Sequence, residues 1–158
     1  MPLRISEARW PGDRVIVEAM FREYVTSLAE DISFQNVDDE LADLPGKYAR
    51  PTGVVLIARR DDEPAGAIAY RMVEPGVCEM KRLYVRPAFR GGGLGRELAN
   101  ELIDHARERG YRTMLLDTLG SMSMARALYR DLGFVPVAPY YENPLPGVMY
   151  MALELVES

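Results

Sequence analysis

The chain has 158 residues, 48% hydrophobic and 27% charged, with a net charge of -5, proportions that fit one globular domain long enough to bury a real core. No run approaches the ~18 consecutive apolar residues of a membrane span, and the start, MPLRISEARWPGDR, has no apolar signal-peptide core, which predicts a cytoplasmic protein with no membrane partner. The acidic balance argues against nucleic-acid binding, and one cysteine, Cys78, with one histidine, His105, excludes a disulfide framework and leaves too few soft ligands for zinc, so no metal is expected.

A strand near Leu3 to Ala8 opens the chain. Asp13 then stands where a cap belongs, ahead of a helix whose apolar positions Val17, Met20, Phe21, Tyr24 and Leu28 follow helical spacing. The polar, acid-rich stretch after it predicts a short helix from about Asn36 to Leu44, stopped by Pro45-Gly46. GVVLIARR and PAGAIAYRMV, separated by DDE, predict a hairpin, and VCEMKRLYV after the turn EPG predicts a further strand. A glycine-rich loop leads into a helix from Leu94 to about Arg109, with Leu94, Leu98, Leu102, Ile103 and Ala106 on one face and Gly110 at its end. TMLLDTL reads as a buried strand, followed by a serine-capped helix around Met122 to Leu132 that stops at Gly133. FVPVAPYY and GVMYMALEL close the chain as two strands. With no repeat or linker, the expectation is a single domain over residues 1–158 of class α/β (α+β), a mixed sheet with helices on its faces.

Charge is unevenly spread. Residues 1–50 carry six basic and ten acidic side chains, whereas Lys81 to Arg96 holds Lys81, Arg82, Arg86, Arg90 and Arg96 with no acid. Within that basic window lies VRPAFRGGGLGREL. Unpaired N–H groups and the dipole at a helix N-terminus welcome an anion, and glycines let phosphate oxygens approach the backbone. The nucleotide-triphosphate loop is excluded by spacing, since the only Gly-Lys, Gly46-Lys47, is followed by Tyr48. The dinucleotide fingerprint also fails, because Gly91-x-Gly93 leads to Arg96 and Gly93-x-Gly95 leads to Leu98.

Arg90-Gly91-Gly92-Gly93-Leu94-Gly95, directly after a strand and before a helix, resembles the acyl-CoA pyrophosphate loop of the GNAT superfamily of N-acetyltransferases, and CEMKRLYVRPAFRG looks like that family's central strand. ARALYRDLGF, Ala125 to Phe134, is similar to the family's helix that carries a tyrosine beside the CoA sulfur. The resemblance implies a mostly antiparallel central sheet in the GNAT-like acyl-CoA N-acyltransferase fold, with acetyl-CoA as cosubstrate. It implies that Arg90, Gly91, Gly92, Gly93, Leu94, Gly95 and Arg96 hold the pyrophosphate, and that the strand segment Leu83, Tyr84 and Val85 meets the pantetheine arm, Leu83 and Val85 through main-chain groups. Ala125 would let the cofactor pass closely, and Tyr129 would protonate the departing thiolate. The family often places an asparagine where this chain has Met122, flanked by Ser121 and Ser123.

An amine of pKa ~10.4 is mostly protonated at pH 7, so a base is needed. Glu79, on the central strand, is the candidate if desolvation raises its pKa; the competing reading pairs it with Lys81 or another cation of the sheet. Tyr129 falls at the edge of the Met124, Ala125, Leu128, Leu132 stripe, as a half-buried tyrosine would. His105 reads as structural, with a partly protonated imidazole favoured near a helix C-terminus. Cys78 reads as core, and Met20, Met80, Met114 and Met124 as core filling. Asp38-Asp39-Glu40 reads as a solvated helix start or, if it walls the acceptor site, as a selector of cationic acceptors. Tyr140 and Tyr141 would line an acceptor pocket or pack at a homodimer interface.

These readings combine into an N-acetyltransferase acting on a primary amine of a small or amino-acid-like acceptor by direct transfer, since no suitable cysteine or histidine nucleophile is present. A protein or peptide amine acetyltransferase, an acyl-CoA-binding sensor without turnover and a structural partner-binding domain stay open at this point.

Overall fold

The computed structural model describes residues 3–32 and 35–156. Strand β1 (Leu3–Glu7) is followed by helix α1 (Arg14–Ser27), the short helix α2 (Val37–Ala42) and a single helical turn at Gly46–Tyr48. Strands β2 (Val54–Arg60), β3 (Glu63–Glu74) and β4 (Val77–Val85) come next, then helix α3 (Leu94–Glu108), β5 (Thr113–Thr118), helix α4 (Ser123–Asp131), β6 (Val135–Val137) and β7 (Met149–Glu154). They form a seven-stranded sheet of order β1-β2-β3-β4-β5-β7-β6, in which only β4 and β5 run parallel. The mixed, mostly antiparallel sheet expected from the sequence is therefore present.

The β2–β3 hairpin closes through Asp61 and Asp62, both left-handed (φ 52° and 67°), the conformation whose twist suits a two-residue hairpin. In β2 the unbroken run Val54 to Ala58 is buried on both sides, since Val54, Leu56 and Ala58 join one core while Val55 and Ile57 join the other. The first core packs under α3 through Leu94, Leu98, Ala99, Leu102, Ile103 and Ala106, and takes in Tyr129 of α4 and Phe134. The second lies under α1 and α2, with Val17, Met20, Phe21, Val37, Leu41 and Tyr48 against Ala67, Ala69 and Tyr84.

Several local expectations change. Asp13 precedes α1 without capping it; its carboxylate instead accepts from the Arg9 amide and pairs with Arg59 at 3.0 Å. No serine caps α4, whose boundary residue is Met122, because Ser121 turns its amide and hydroxyl to Glu30. Met124, expected in the core, is 87% exposed. The penultimate strand is three residues long, which leaves Tyr140 and Tyr141 in the connection to β7.

The feature that organises the site is a parting of the two parallel strands. β4 and β5 are in register only from Val77↔Thr113 to Glu79↔Leu115. Beyond that point β4 follows β3, and between Ala67↔Tyr84 and Ala69↔Lys81 the register slips. Ile68 thus faces two residues, Arg82 and Leu83, and Arg82 adopts φ 61°, which marks a β-bulge that bends the strand. Residues 80–85 present a β5-facing edge with no strand against it, and buried backbone groups must find partners.

Candidate functional site

A cavity of about 380 Å³ fills the gap between the parted strands. Met80, Lys81, Arg82 and Leu83 of β4 form one wall, Leu116 and Asp117 of β5 the other, and Met122, Ala125 and Tyr129 of the α4 segment close a third side. Tyr24 of α1, Ile32 and Gln35 cover the remaining side. Leu83, Ala125 and Tyr129, singled out in the sequence, meet here. The serine beside Met122 expected to replace a contact is divided in use: Ser121 and Ser123 both line the cavity, and Ser121 is held by Glu30 at 3.0 Å through its amide.

Tyr129 is more enclosed than the edge of an apolar stripe suggests, at 7% exposure, and its ring stacks edge-on against Phe134. Burial, with help from the Asp117 charge and Tyr24, pushes its phenol well above the ordinary tyrosine range. Burial likewise pushes Tyr24 up to about 12. Both hydroxyls are therefore protonated donors at neutral pH.

Glu79 is the clearest correction. It is 1% exposed, as the sequence suggested, yet its carboxyl lies below the usual range rather than above it. Desolvation does push it up, but Lys81, the Tyr140 hydroxyl and Arg71 together outweigh that push. Tyr140 donates to Oε2 at 2.6 Å and Arg71 Nε to Oε1 at 3.0 Å, while Lys81 Nζ stands 3.9 Å away. Glu79 is thus a buried carboxylate bonded by Tyr140 and Arg71, without the raised pKa that the base reading called for. Tyr140 serves it, and Tyr141 donates to Asp117, so both tyrosines face this region.

The acidic segment divides: Asp38 and Asp39 are exposed at the start of α2, as a solvated helix start would be, whereas the Glu40 side chain is 6% exposed and accepts from Arg82, with Nε at 3.2 Å and Nη2 at 3.1 Å, and Lys47 Nζ lies at 2.9 Å. Arg82 additionally donates to Gln35 at 2.9 Å. These bonds fasten α2 to the bulge of β4, and Glu40 has no charge left over for a cationic acceptor.

The glycine loop sits at the far end of β4. Pro87–Phe89 makes one helical turn, and Gly91 (φ 92°) and Gly93 (φ 79°) are left-handed, the second forming the N-terminal boundary of α3. A Cβ at Gly91, Gly92 or Gly93 would meet nothing within 4 Å. The loop is open on its outer face, and the first amides of α3 face no helical carbonyl. Arg90 lies over the Tyr84 ring, 5.8 Å from its centroid, and donates to the Val85 carbonyl at 2.8 Å. Arg96 pairs with Asp131 at 3.0 Å, tying α3 to α4. The Tyr84 side chain points to the α1 side and donates to Glu23 at 3.2 Å, so only its main chain belongs to the cradle's approach.

Two expectations lie outside the site. His105 faces Tyr70, with Nδ1 and the hydroxyl 2.8 Å apart. Its pKa is lowered, first by burial and then by Arg109, so the imidazole is neutral rather than the partly protonated group its helix position suggested. Cys78 is fully buried and its thiol is pushed up to about 12 by burial, a packing residue. Among the described residues no cluster of metal-ligating side chains occurs, and no helix is long and apolar enough to cross a membrane.

Sequence reasoning missed Asp117, Tyr24 and Gln35, which come from three separate elements. It placed Lys81 and Arg82 in a basic window on the central strand and Lys81 beside Glu79, but gave neither a place in a cavity. Nothing local marks them, because the gap that joins them is made by tertiary pairing.

A mixed sheet parted between its parallel strands, with a glycine loop leading from one of them into a helix, defines an acyl-CoA N-acyltransferase. The chain belongs to the acetyltransferase (GNAT) family, whose model matches residues 17–134, and it is an N-acetyltransferase of that family. It is 44% identical, over 97% of its length and 95% of the relative's, to an uncharacterized N-acetyltransferase of Schizosaccharomyces pombe. An IAA acetyltransferase of Azospirillum brasilense is 32% identical over 85% of this chain and 94% of its own length. Among solved structures, yncA of Salmonella typhimurium, determined with its cofactor acetyl-CoA, superposes with a TM-score of 0.79 at 23% identity, covering 100% of this chain and 96% of its own.

Proposed function

We propose that this protein transfers the acetyl group of acetyl-CoA to a primary amine of a small or amino-acid-like acceptor, by direct attack within a ternary complex. The observation that carries the reading is the junction of one strand with two features: β4 parts from β5 around a cavity of about 380 Å³, and the same strand leads into an open glycine cradle. A cavity of this size matches small-ligand sites.

Acetyl-CoA supplies the thioester. Its pyrophosphate fits the amides of Gly91 to Arg96, and its pantetheine arm fits the unpaired edge of residues 80–85, where main-chain groups replace the missing strand. The amine nitrogen attacks the thioester carbonyl carbon, the C–S bond breaks, and the sulfur takes a proton from the Tyr129 hydroxyl. A thiolate of pKa ~8.5 needs little help from a phenol, so alignment of amine and thioester supplies much of the acceleration. Glu79, paired and ionised, holds Arg71 and Tyr140. The amine gives up its proton to water past Asp117, the carboxylate that lines the cavity, and a proton from water restores the Tyr129 hydroxyl, so the transfer is proton-neutral.

A thermal shift with acetyl-CoA, CoA and ATP as separate ligands tests the first half. At a ligand concentration near 100 times Kd the stabilisation is about 2.7 kcal/mol, a Tm rise of roughly 5 to 11 °C at this size, expected for both CoA ligands and absent for ATP. Tyr129→Phe tests the second half: kcat falls about 10- to 100-fold while the CoA-induced rise is retained. Loss of CoA binding in that variant, or ping-pong kinetics in the wild type, would contradict the mechanism.

A further inference from the structure

Three charged side chains line the cavity: Lys81, Arg82 and Asp117. Two are already engaged. Arg82 holds Glu40 and Gln35, and Asp117 accepts from Tyr141. Lys81 differs. Its side chain is 11% exposed, and its nearest opposite charge among the described residues is Glu79 Oε1 at 3.9 Å, beyond hydrogen-bonding reach. That carboxylate already accepts from Arg71 on the same oxygen and from Tyr140 on the other.

An ammonium has three donors, and a nearly buried one without an acceptor carries a desolvation cost that a ligand can repay. The cost is already met in the folded protein, so an anion reaching Lys81 gains a charge-assisted bond in a medium less polarising than water. Lys81 stands two residues past the end of the β4–β5 pairing and is the last β4 residue in register with β3 before the slip, which places it at the mouth of the gap. Glu40, the α2 carboxylate turned toward β4, is neutralised by Arg82 and Lys47.

We propose that Lys81 is the acceptor-selecting residue, and that the acceptor is an amine carrying a carboxylate, as an amino acid does, with that carboxylate bound to the Lys81 ammonium. The inference rests on the acetyltransferase reading above. Asp117, across the cavity, complements it through Oδ1, since Tyr141 donates to Oδ2: the two opposite charges give a zwitterionic amino acid one site for each end, ammonium toward β5 and carboxylate toward β4.

The test is an acetylation assay with the free L-amino acids, their carboxamides and simple alkylamines, run on the wild type, Lys81→Gln and Lys81→Arg, beside the CoA thermal shift. At least one free amino acid is expected to be acetylated with kcat/KM roughly 10- to 100-fold above its amide. Lys81→Gln should bring acid and amide within about threefold of each other, mainly by raising KM for the acid, and Lys81→Arg should keep part of the preference. All three proteins should show the same Tm rise with CoA. Amides or alkylamines used as well as the acids, an acid preference that survives Lys81→Gln, an equal loss of kcat on acid and amide, or no free amino acid turned over at all would each overturn the proposal. Turnover of carboxylate-free amines alone leaves the acetyltransferase reading standing, whereas absence of any CoA-induced rise removes that reading first.

Discussion

Single side chains in this protein are governed by which of two opposing effects is larger. Glu79 and Tyr129 are both buried, yet they shift for different reasons: three donors and cations hold the carboxylate ionised, whereas the phenol has no cation to offset its desolvation. His105 gives a case that can be measured by pH. It touches Tyr70, Glu7 lies 3.5 Å from its Nε2, and Arg109, Arg50 and Glu108 also act on it. Burial and Arg109 outweigh Glu7, so the folded pKa lies below 6.5. In the window between that folded value and 6.5 the unfolded chain binds more protons than the folded one, and stability must fall as pH drops through it. The carboxylates with lowered pKa, Glu7, Glu30, Glu40 and Glu79, exert their effect around and below the ordinary carboxylate value of ~4.5, under most of this window. Tm should therefore decline from pH 7 to 5.5 in the wild type and stay flatter in His105→Gln; equal slopes in the two proteins would show that another group carries the effect.

At the scale of elements, the link from β4 to α3 separates conformational need from ligand need. Gly93 is left-handed at the boundary of α3, while Gly92 is not left-handed, and a Cβ at either would meet no protein atom within 4 Å. Gly93→Ala forces an L side chain into the left-handed region at about 1 to 2 kcal/mol, so Tm should drop by roughly 2 to 8 °C. Gly92→Ala should leave Tm nearly unchanged, yet both variants should weaken the CoA-induced rise, because the added methyl occupies the face a phosphate approaches. If Gly92→Ala kept full CoA affinity, the cradle would have to lie elsewhere. This loop was legible in the sequence because its chemistry is local: consecutive glycines, a following amphipathic helix and Arg90 before them. The helices and strands were legible for the same reason, through periodicities of 3.6 and 2. The serine cap of α4 was misread because Ser121 found Glu30, 91 positions away, which no window of sequence contains.

The whole molecule is a sheet in two parts joined along a short seam. Strand order and the place where β4 leaves β5 are global properties, and they decide what Lys81, Asp117, Tyr24 and Gln35 can do together; no single motif contains the four. The seam is three residue pairs, Val77 to Glu79 against Thr113 to Leu115. Above it, residues 80–85 have β3 on one side and the cavity on the other, so their cavity-side amides depend on water or ligand for partners. Hydrogen exchange should separate the two edges of this one strand. Amides of β4 that bond to β3 should be protected in the free protein, whereas those of residues 80–85 facing β5 should exchange quickly and slow markedly when CoA is added, since the pantetheine arm takes the place of the missing strand. The same ligand bridges the halves, so protection should also rise in α4 and in β5 beyond Leu115, which carry no phosphate contact of their own. Protection confined to Gly91 to Arg96 would mean that the cofactor is held only by its pyrophosphate and that the parted strands serve the acceptor alone.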